Sequence, residues 1–559
     1  MLGRMTARLL AMAAQTRLRG PGRQNVKPAR WRALTAWLAV LFLSGPVFAQ
    51  DLRIPMMVNL APVNDWSVQQ PFLDVMKTAR PWFGHKRRQW GGMSHEELQA
   101  SGYLDDHGWP LAIPPGMGSV GTVILTDLPE QAVTLAGQYR LRFEGTGIVE
   151  VAGRASNKHY GKGEVWFDFT PGLGPVDIRI QRSAENDPVR AITVVHERHI
   201  DAFDAGEQFN PDWLARIDGF SSLRFISWMD TNDSTQSKWA DRPEPGDATY
   251  ALNGVPVEVM LVLAGRLGAD PWFTLPHMAD DAYIHAFAET VSGGMDPDLK
   301  VYAEYSNEVW NWQFGQAKWA DEQARARWGR DNAWMQFYGL RAAQAARIWS
   351  DVFAGDDRLI NVIGVQTGWL GLEQEALLAP LAQAEGFPAP SEAFDAYAVT
   401  GYFGYDLGEA DNADRLQGWL AESRAADPGR PYDLAVARAA QDVREGSLDD
   451  LVTRLWPHHA KVATVHGYEL LMYEGGTHIT GLWPVVDDET LTSFFTHLNY
   501  TPEIAELYEV LFAEWHGVGG RLFGVFNDVS APSKWGSWGA LRHLGDDNPR
   551  WDVIQRYRQ

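Results

Sequence analysis

The chain of 559 residues contains no cysteine. Disulfides, thiol nucleophiles and cysteine-held metals are therefore excluded, and stability must come from packing. Cationic side chains are scarce, 49 against 71 acids, giving a formal charge of −22. Such a surface repels nucleic acid, so no nucleic-acid partner is expected. A polyanionic polymer would be repelled as well unless a local basic patch received it. No segment beyond residue 50 is long and apolar enough to cross a bilayer. The Gly475-Gly476 pair lacks the strand–loop–helix setting of a phosphate cradle and reads as a turn.

Acids are missing altogether from residues 1–50. Arg4, Arg8, Arg17, Arg19, Arg23, Lys27, Arg30 and Arg32 precede an apolar run, residues 33–45, that ends near Val47-Phe48-Ala49. A basic start, a short apolar stretch and small residues where a peptidase cuts predict a signal peptide over 1–49. A secreted or periplasmic protein with no membrane attachment after cleavage follows, its formal charge falling to −30. An uncleaved anchor is the alternative; the run is short for one.

What is plentiful is tryptophan, 25 residues. Indoles fill cores, and they also stack on sugar rings. From about Leu104 to Thr193 the texture is short alternating segments broken by Gly and Pro, such as Gly121-Thr-Val-Ile-Leu and Gly147-Ile-Val-Glu-Val. Strands at this spacing with no helical run predict a β-sandwich over 106–200. Trp109, Tyr139, Tyr160 and Trp166 would make it a sugar-binding module; a wall packed on the neighbouring domain is the plainer role. Around it, strands alternate with helical periodicity: one in 50–105 and seven in 201–559, starting near residues 223, 271, 301, 359, 394, 468 and 522. Eight such units predict an α/β fold, a (β/α)8 TIM barrel interrupted after its first strand by the sandwich. An open doubly wound sheet is the alternative.

Two strand ends carry acids. Val301-Tyr-Ala-Glu304-Tyr-Ser-Asn307-Glu308 closes the fourth strand, with Trp310 and Trp312 just beyond; Tyr473-Glu474-Gly closes the seventh. Glycoside hydrolysis takes two carboxyl groups flanking the scissile bond. Glu308 can protonate a leaving oxygen, Asn307 can bond a sugar hydroxyl, and Trp310 or Trp312 can stack on a pyranose. Strand alternation sets Glu304 below Glu308 on one face. A carboxylate that deep needs a cation, for which Arg224 on the second strand is the candidate, orienting Glu474 as well. A hydrogen bond from Tyr402, on the sixth strand, would favour the ionised form of Glu474. The spacing of the two carboxyl groups decides between retention and inversion, and sequence leaves it open.

Glu304-x-x-Asn307-Glu308 with Tyr473-Glu474-Gly resembles glycoside hydrolase clan A, the retaining (β/α)8 glycosidases. The likeness extends to Arg224, to His277 at the third strand and to Tyr402, over roughly residues 51–105 and 200–559. It implies that Glu308 is the acid/base, that Asn307 contacts the sugar 2-hydroxyl and that Glu474 is the nucleophile. It also implies substrate contacts by Arg224, His277 and Tyr402. The Trp that the clan places near the end of the eighth strand is not matched in register; Asn527 stands there, with Trp535 and Trp538 further on. The expectation is an exported retaining β-glycoside hydrolase acting within a neutral, β-glucan-like polysaccharide. A non-catalytic glycan-binding surface protein and a transglycosylase are the alternatives. No cofactor or metal is expected: His277 has no second histidine at ligand spacing, and the adjacent His458 and His459 face apart.

Overall fold

The computed structural model describes residues 52–558; the leader read over 1–49 lies outside them. Eight parallel strands close into a barrel. They are β1 (Met56–Asn59), β2 (Ser222–Arg224), β3 (Asp270–Leu275), β4 (Val301–Tyr305), β5 (Leu359–Gly364), β6 (Ala396–Phe403), β7 (Glu469–Thr477) and β8 (Phe523–Phe526). Pairing of β1 with both β2 and β8 completes the ring, so the open-sheet alternative is excluded.

The barrel interior is graded along its axis. Met57, Tyr302, Ala396, Leu471 and Leu522 fill it with apolar groups, beneath Trp272 and Tyr473. Toward the C-terminal ends the inward positions turn polar: Asn59 two residues after Met57, and Glu304 two after Tyr302. The period of two along a strand places each such pair on one face. Two strands stop earlier than their apolar runs suggest. β2 ends at Arg224, and the Met229 N–H turns back to the Phe225 carbonyl, so Phe225–Asp230 is a turn rather than strand. β5 ends at Gly364, releasing Gln366–Trp369 as loop.

The outer helices carry ordinary punctuation. Asp280 caps Asp281–Gly294 through the Tyr283 N–H, and Gly268, at φ 61, closes Val257–Leu267 in the left-handed conformation that glycine adopts without strain. The helical region read over 314–353 is two helices, Gly315–Trp328 and Trp334–Phe353, with Gly329 and Asn332 at positive φ between them. The run from Thr490 to His516 likewise divides ahead of Pro502, into Glu489–Leu498 and Pro502–Gly517.

Between β1 and β2 stand two antiparallel sheets. One orders strands 190–196, 137–144, 164–169 and 156–160; the other orders 92–93, 83–86, 117–124, 176–183 and 147–153. Val120, Val151, Phe167, Ile178 and Val194 join their inner faces in one core. Two members, Phe83–Lys86 and Gly92–Met93, precede residue 106, where the sequence placed the boundary. A third, Ser156–Tyr160, is exposed at every position and so shows no apolar alternation. Of the four aromatic residues considered for this module, Tyr139 is core, Trp109 and Trp166 are half-buried, and Tyr160 is exposed.

Candidate active site

Arg224 is the hub at the C-terminal mouth of the barrel. A guanidinium carries five N–H groups in a fixed fork, and here each has an acceptor. Nε reaches Glu304 Oε2 at 3.3 Å; Nη2 reaches Glu304 Oε2 and Asn307 Oδ1, both at 2.9 Å. Nη1 reaches Glu474 Oε1 at 2.8 Å and Asn59 Oδ1 at 3.2 Å. Arg224 has no solvent-accessible surface. With every donor engaged, it holds other side chains in place and has no N–H left for a sugar, which removes the substrate contact that the sequence reading assigned to it. Trp272 Nε1 adds a bond to Glu304 Oε2 at 2.8 Å. A Cβ on Gly364 would lie 2.9 Å from Glu304 Oε1, so glycine on β5 is what gives this carboxylate its room.

The two glutamates reach the mouth by different backbone devices. Along β7 the register with β6 shifts: Val399 pairs with Met472 but Thr400 pairs with Glu474. Tyr473 is the extra residue of a β-bulge, which interrupts alternation so that consecutive side chains can share a face. Tyr473 packs in the barrel interior and Glu474 meets Arg224 on the same side. At β4, strand alternation stops at Ser306, whose φ is 61; Glu308 follows at φ 43. Left-handed backbone at residues with a Cβ costs roughly 1–3 kcal/mol and gathers at functional sites. Here it brings Asn307 and Glu308, adjacent in sequence, into one site. The Asn307 amide N–H bonds Asn232 Oδ1 at 3.1 Å, and Gln316 fixes both Asn232 and the Asn307 carbonyl.

Their electrostatic settings differ too. Glu474 is buried between Arg224 and the Tyr402 hydroxyl, which donates to Oε2 at 2.9 Å. Burial raises its pKa, and the guanidinium and the phenol offset only part of that rise. Glu308 touches no cation. It accepts from Tyr473 Oη at 3.3 Å and from Asn311 Nδ2 at 3.0 Å. Burial first, then the charge of Glu474, push its carboxyl up to about 8. Arg224 pairs directly with Glu304 and Glu474 and not with Glu308, so Glu308 is the carboxyl whose surroundings favour the protonated form.

The remaining expected residues stand around this cluster. Tyr402 packs edge-on against Phe526 and Trp538, with ring centroids 6.1 and 5.9 Å away, and His478 lies 5.2 Å from Trp538. This aromatic wall flanks Glu474. Of the two tryptophans that follow the eighth strand, Trp538 is the one packed on Tyr402. Trp535 itself is half-buried under the Lys534 ammonium. Asn527 follows Phe526 across a cis peptide and exchanges backbone bonds with Trp538 and Ala540; its side-chain oxygen is buried and has no partner among the described residues. His277 is buried against Trp319, its carbonyl accepting from the Tyr305 hydroxyl, and burial lowers its pKa to about 4. Trp310 is half-buried, whereas Trp312 is exposed and lies 5.2 Å from Trp334. Glu308, Glu474, Asn307, Arg224 and Tyr402 therefore converge; His277, Trp312 and Trp535 pack on Trp319, Trp334 and Lys534, Asn527 is tied by its backbone to Trp538, and the Trp310 indole N–H is buried with no partner among the described residues.

Asn59, Asn232, Trp272, Asn311, Tyr473 and Trp538 were not singled out as site residues. Asn59 ends β1 and Tyr473 precedes Glu474 on β7, a signal visible only once a barrel is assumed; Trp272 lies within β3, and Asn232, Asn311 and Trp538 lie in loops. Among the described residues no group of three or more His, Asp or Glu side chains could hold a metal.

No protein-family model matches the chain. No curated protein matches it either. Solved structures do. A fungal β-1,4-galactanase aligns over 63% of this chain and 92% of its own, with 13% identity and a TM-score of 0.32. The modular endo-β-1,4-mannanase of Cellulomonas fimi, a glycoside hydrolase family 26 enzyme, aligns over 60% and 62%, with 10% identity and a TM-score of 0.30. An endo-β-1,4-mannanase of Thermotoga petrophila aligns over 62% and 71%, with 11% identity and a TM-score of 0.30.

Proposed function

We propose that the protein is an exported retaining β-glycoside hydrolase that cuts within a neutral, β-glucan-like polysaccharide, with Glu474 as nucleophile and Glu308 as acid/base. The observation that carries this reading is the split between the two carboxyl groups: one is held by a cation and a phenol, the other has no cation and a pKa near 8. Split protonation of two carboxyl groups at the C-terminal mouth of a barrel is the arrangement that glycoside cleavage uses.

The steps follow from the geometry. A lone pair of Glu474 attacks the anomeric carbon as the glycosidic C–O bond breaks, and the Glu308 proton passes to the departing oxygen. A glycosyl ester on Glu474 remains. Glu308, now ionised, takes a proton from water, whose oxygen attacks the same carbon and frees Glu474. Asn307 gives one amide N–H to Asn232 and keeps the other for the 2-hydroxyl that the clan resemblance implies. A long substrate is supported by four exposed indoles on loops after β1, β4, β5 and β7: Trp66 at 45%, Trp312 at 37%, Trp369 at 49% and Trp483 at 71%.

Reducing-end release from β-glucan, mannan, galactan and xylan tests the activity, and proton NMR of the first product reads its anomeric form. Retention of β-configuration, lost together with activity in Glu308→Gln and Glu474→Gln, is the expected result. An α-product would overturn the nucleophile assignment. Undiminished turnover in either variant would overturn the whole scheme.

A further inference from the structure

Among the described residues five tryptophans are exposed, and Trp90, at 51%, is the one that belongs to the sandwich rather than to the barrel mouth. It sits in the turn between strands 83–86 and 92–93, on the outer face of the five-stranded sheet. The turn is tight: Arg88, Gly91 and Gly92 have φ of 59, 70 and 136. His85 holds it shut, since Nδ1 accepts the Gly91 N–H at 3.1 Å. Phe83 and His85 meet the indole edge-on, with centroids 5.3 and 4.9 Å away, so the ring is braced. The Arg179 guanidinium lies 5.3 Å from the centre of the indole and is a quarter exposed; buried Asp177 fixes it at 2.6 Å.

Two further features set this face apart. His85 Nε2, Asp177 Oδ1 and Arg179 Nε are buried and have no hydrogen-bond partner among the described residues. Because Nδ1 of His85 accepts, the neutral ring carries its hydrogen on Nε2, and burial keeps it neutral with a pKa near 4. Buried polar atoms are rarely left unpaired, so three around one indole are unusual for a merely structural face. The turn also carries Lys86, Arg87 and Arg88, all exposed, and none of the ion pairs among the described residues involves them. Three free cations in a row, in a chain of net charge −22, form the local basic patch that would receive a polyanion.

We infer that the sandwich carries a second binding site, separate from the barrel mouth, for carboxylate-bearing sugar units of an acidic glycan. Trp90 is the stacking platform, Arg179 and the Lys86–Arg88 turn are the carboxylate partners, and His85 and Asp177 are positioning residues. A bilayer is the less suitable occupant, since one indole supplies little apolar surface and the unpaired N–H groups want hydroxyl or carboxylate oxygens. The inference does not depend on the cleavage reaction, because it is read by binding alone.

The test uses the full chain carrying Glu308→Gln, so that no polymer is consumed. Calorimetry with oligogalacturonate and oligoguluronate is compared with neutral galactan and mannan oligomers, dextran sulfate and phosphatidylglycerol vesicles. Oligouronate binding that weakens with salt is expected. Trp90→Ala should lower its affinity by about tenfold or more, and Trp90→Phe should restore most of it. Lys86→Ser/Arg87→Ser/Arg88→Ser should lower affinity by roughly tenfold and flatten the salt dependence. On the unmutated catalytic background, turnover of a small aryl glycoside should be unchanged by either variant. Equal uronate binding by Trp90→Ala would overturn the site, as would equal affinity for neutral oligomers, dextran sulfate or vesicles. Failure of the cleavage reading would appear separately, as activity that survives Glu474→Gln.

Discussion

Glu308 and Glu474 are the same side chain at the same kind of place, the C-terminal end of a barrel strand, and their surroundings diverge at every level. Glu474 follows a bulge inside a strand of nine residues; Glu308 follows a left-handed break beyond a strand of five. Glu474 meets a guanidinium and a phenol, while Glu308 meets a phenol and an amide. Chemistry that needs one base and one acid at the same pH is obtained by varying the neighbours rather than the residue. Glu304 makes the contrast sharper. It is as deep as Glu474 and shares the same arginine, but donors crowd one of its oxygens and Gly364 backs the other, so it serves as a counter-charge.

The comparison breaks most visibly when each carboxyl is removed. Glu474→Ala should lower kcat by roughly 10^5-fold on any substrate, because no covalent intermediate can form. Glu308→Ala should cost about 10^2–10^4-fold on polysaccharide. It should cost far less on an aryl glycoside whose leaving group needs no proton; steady-state kinetics on both substrates separates the two roles. Arg224→Ala leaves buried carboxylates without their cation and should destabilise the fold by roughly 3–5 kcal/mol in urea unfolding.

Titration sharpens the contrast. Glu308 must hold its proton, so kcat/KM should fall as pH rises through about 8. The linked stability has a definite sign. An unfolded glutamate titrates at about 4.3, below the folded value, so the native state binds the proton more tightly. That contribution is fully present below the unfolded pKa and is lost as pH rises through about 8. Glu308→Gln, neutral throughout, should therefore melt above the parent at pH 9, with the gap closing toward pH 5. Tyr402→Phe gives the smallest expected effect, about 1 kcal/mol in transition-state stabilisation from one lost hydrogen bond to Glu474. A KM change without a kcat change in that variant would assign Tyr402 to substrate binding instead.

Apolar runs bounded by turn residues located the eight barrel strands, because strands buried on both faces lose the polar alternation of a half-exposed strand. Glu308, Glu474 and Arg224 were legible for a related reason: an acid or a cation at the end of such a run has no structural excuse without a partner. The bulge at Tyr473 left no trace, since one extra residue alters pairing and not composition. Strand alternation set Glu304 and Glu308 on one face and Asn307 opposite; the positive φ at Ser306 cancels that alternation. Asn232 and Asn311 lie in loops whose course depends on distant contacts, as does the Trp538 turn pinned to Asn527. Of the aromatic candidates on the sandwich only Tyr139 packs in the core, and none of the four lies beside Trp90, which stands in a turn outside the range read as sandwich.

The inserted residue on β7 ties a phenol and a carboxylate to one peptide unit. The hydroxyl bonded to Glu308 and the carboxyl bonded to Arg224 are consecutive along the chain and cannot be repositioned independently. A slip of that strand by one place would withdraw both together. Damage to this edge of the barrel should accordingly appear as a smaller population of competent molecules, each turning over at the full rate, rather than as a uniform population working slowly.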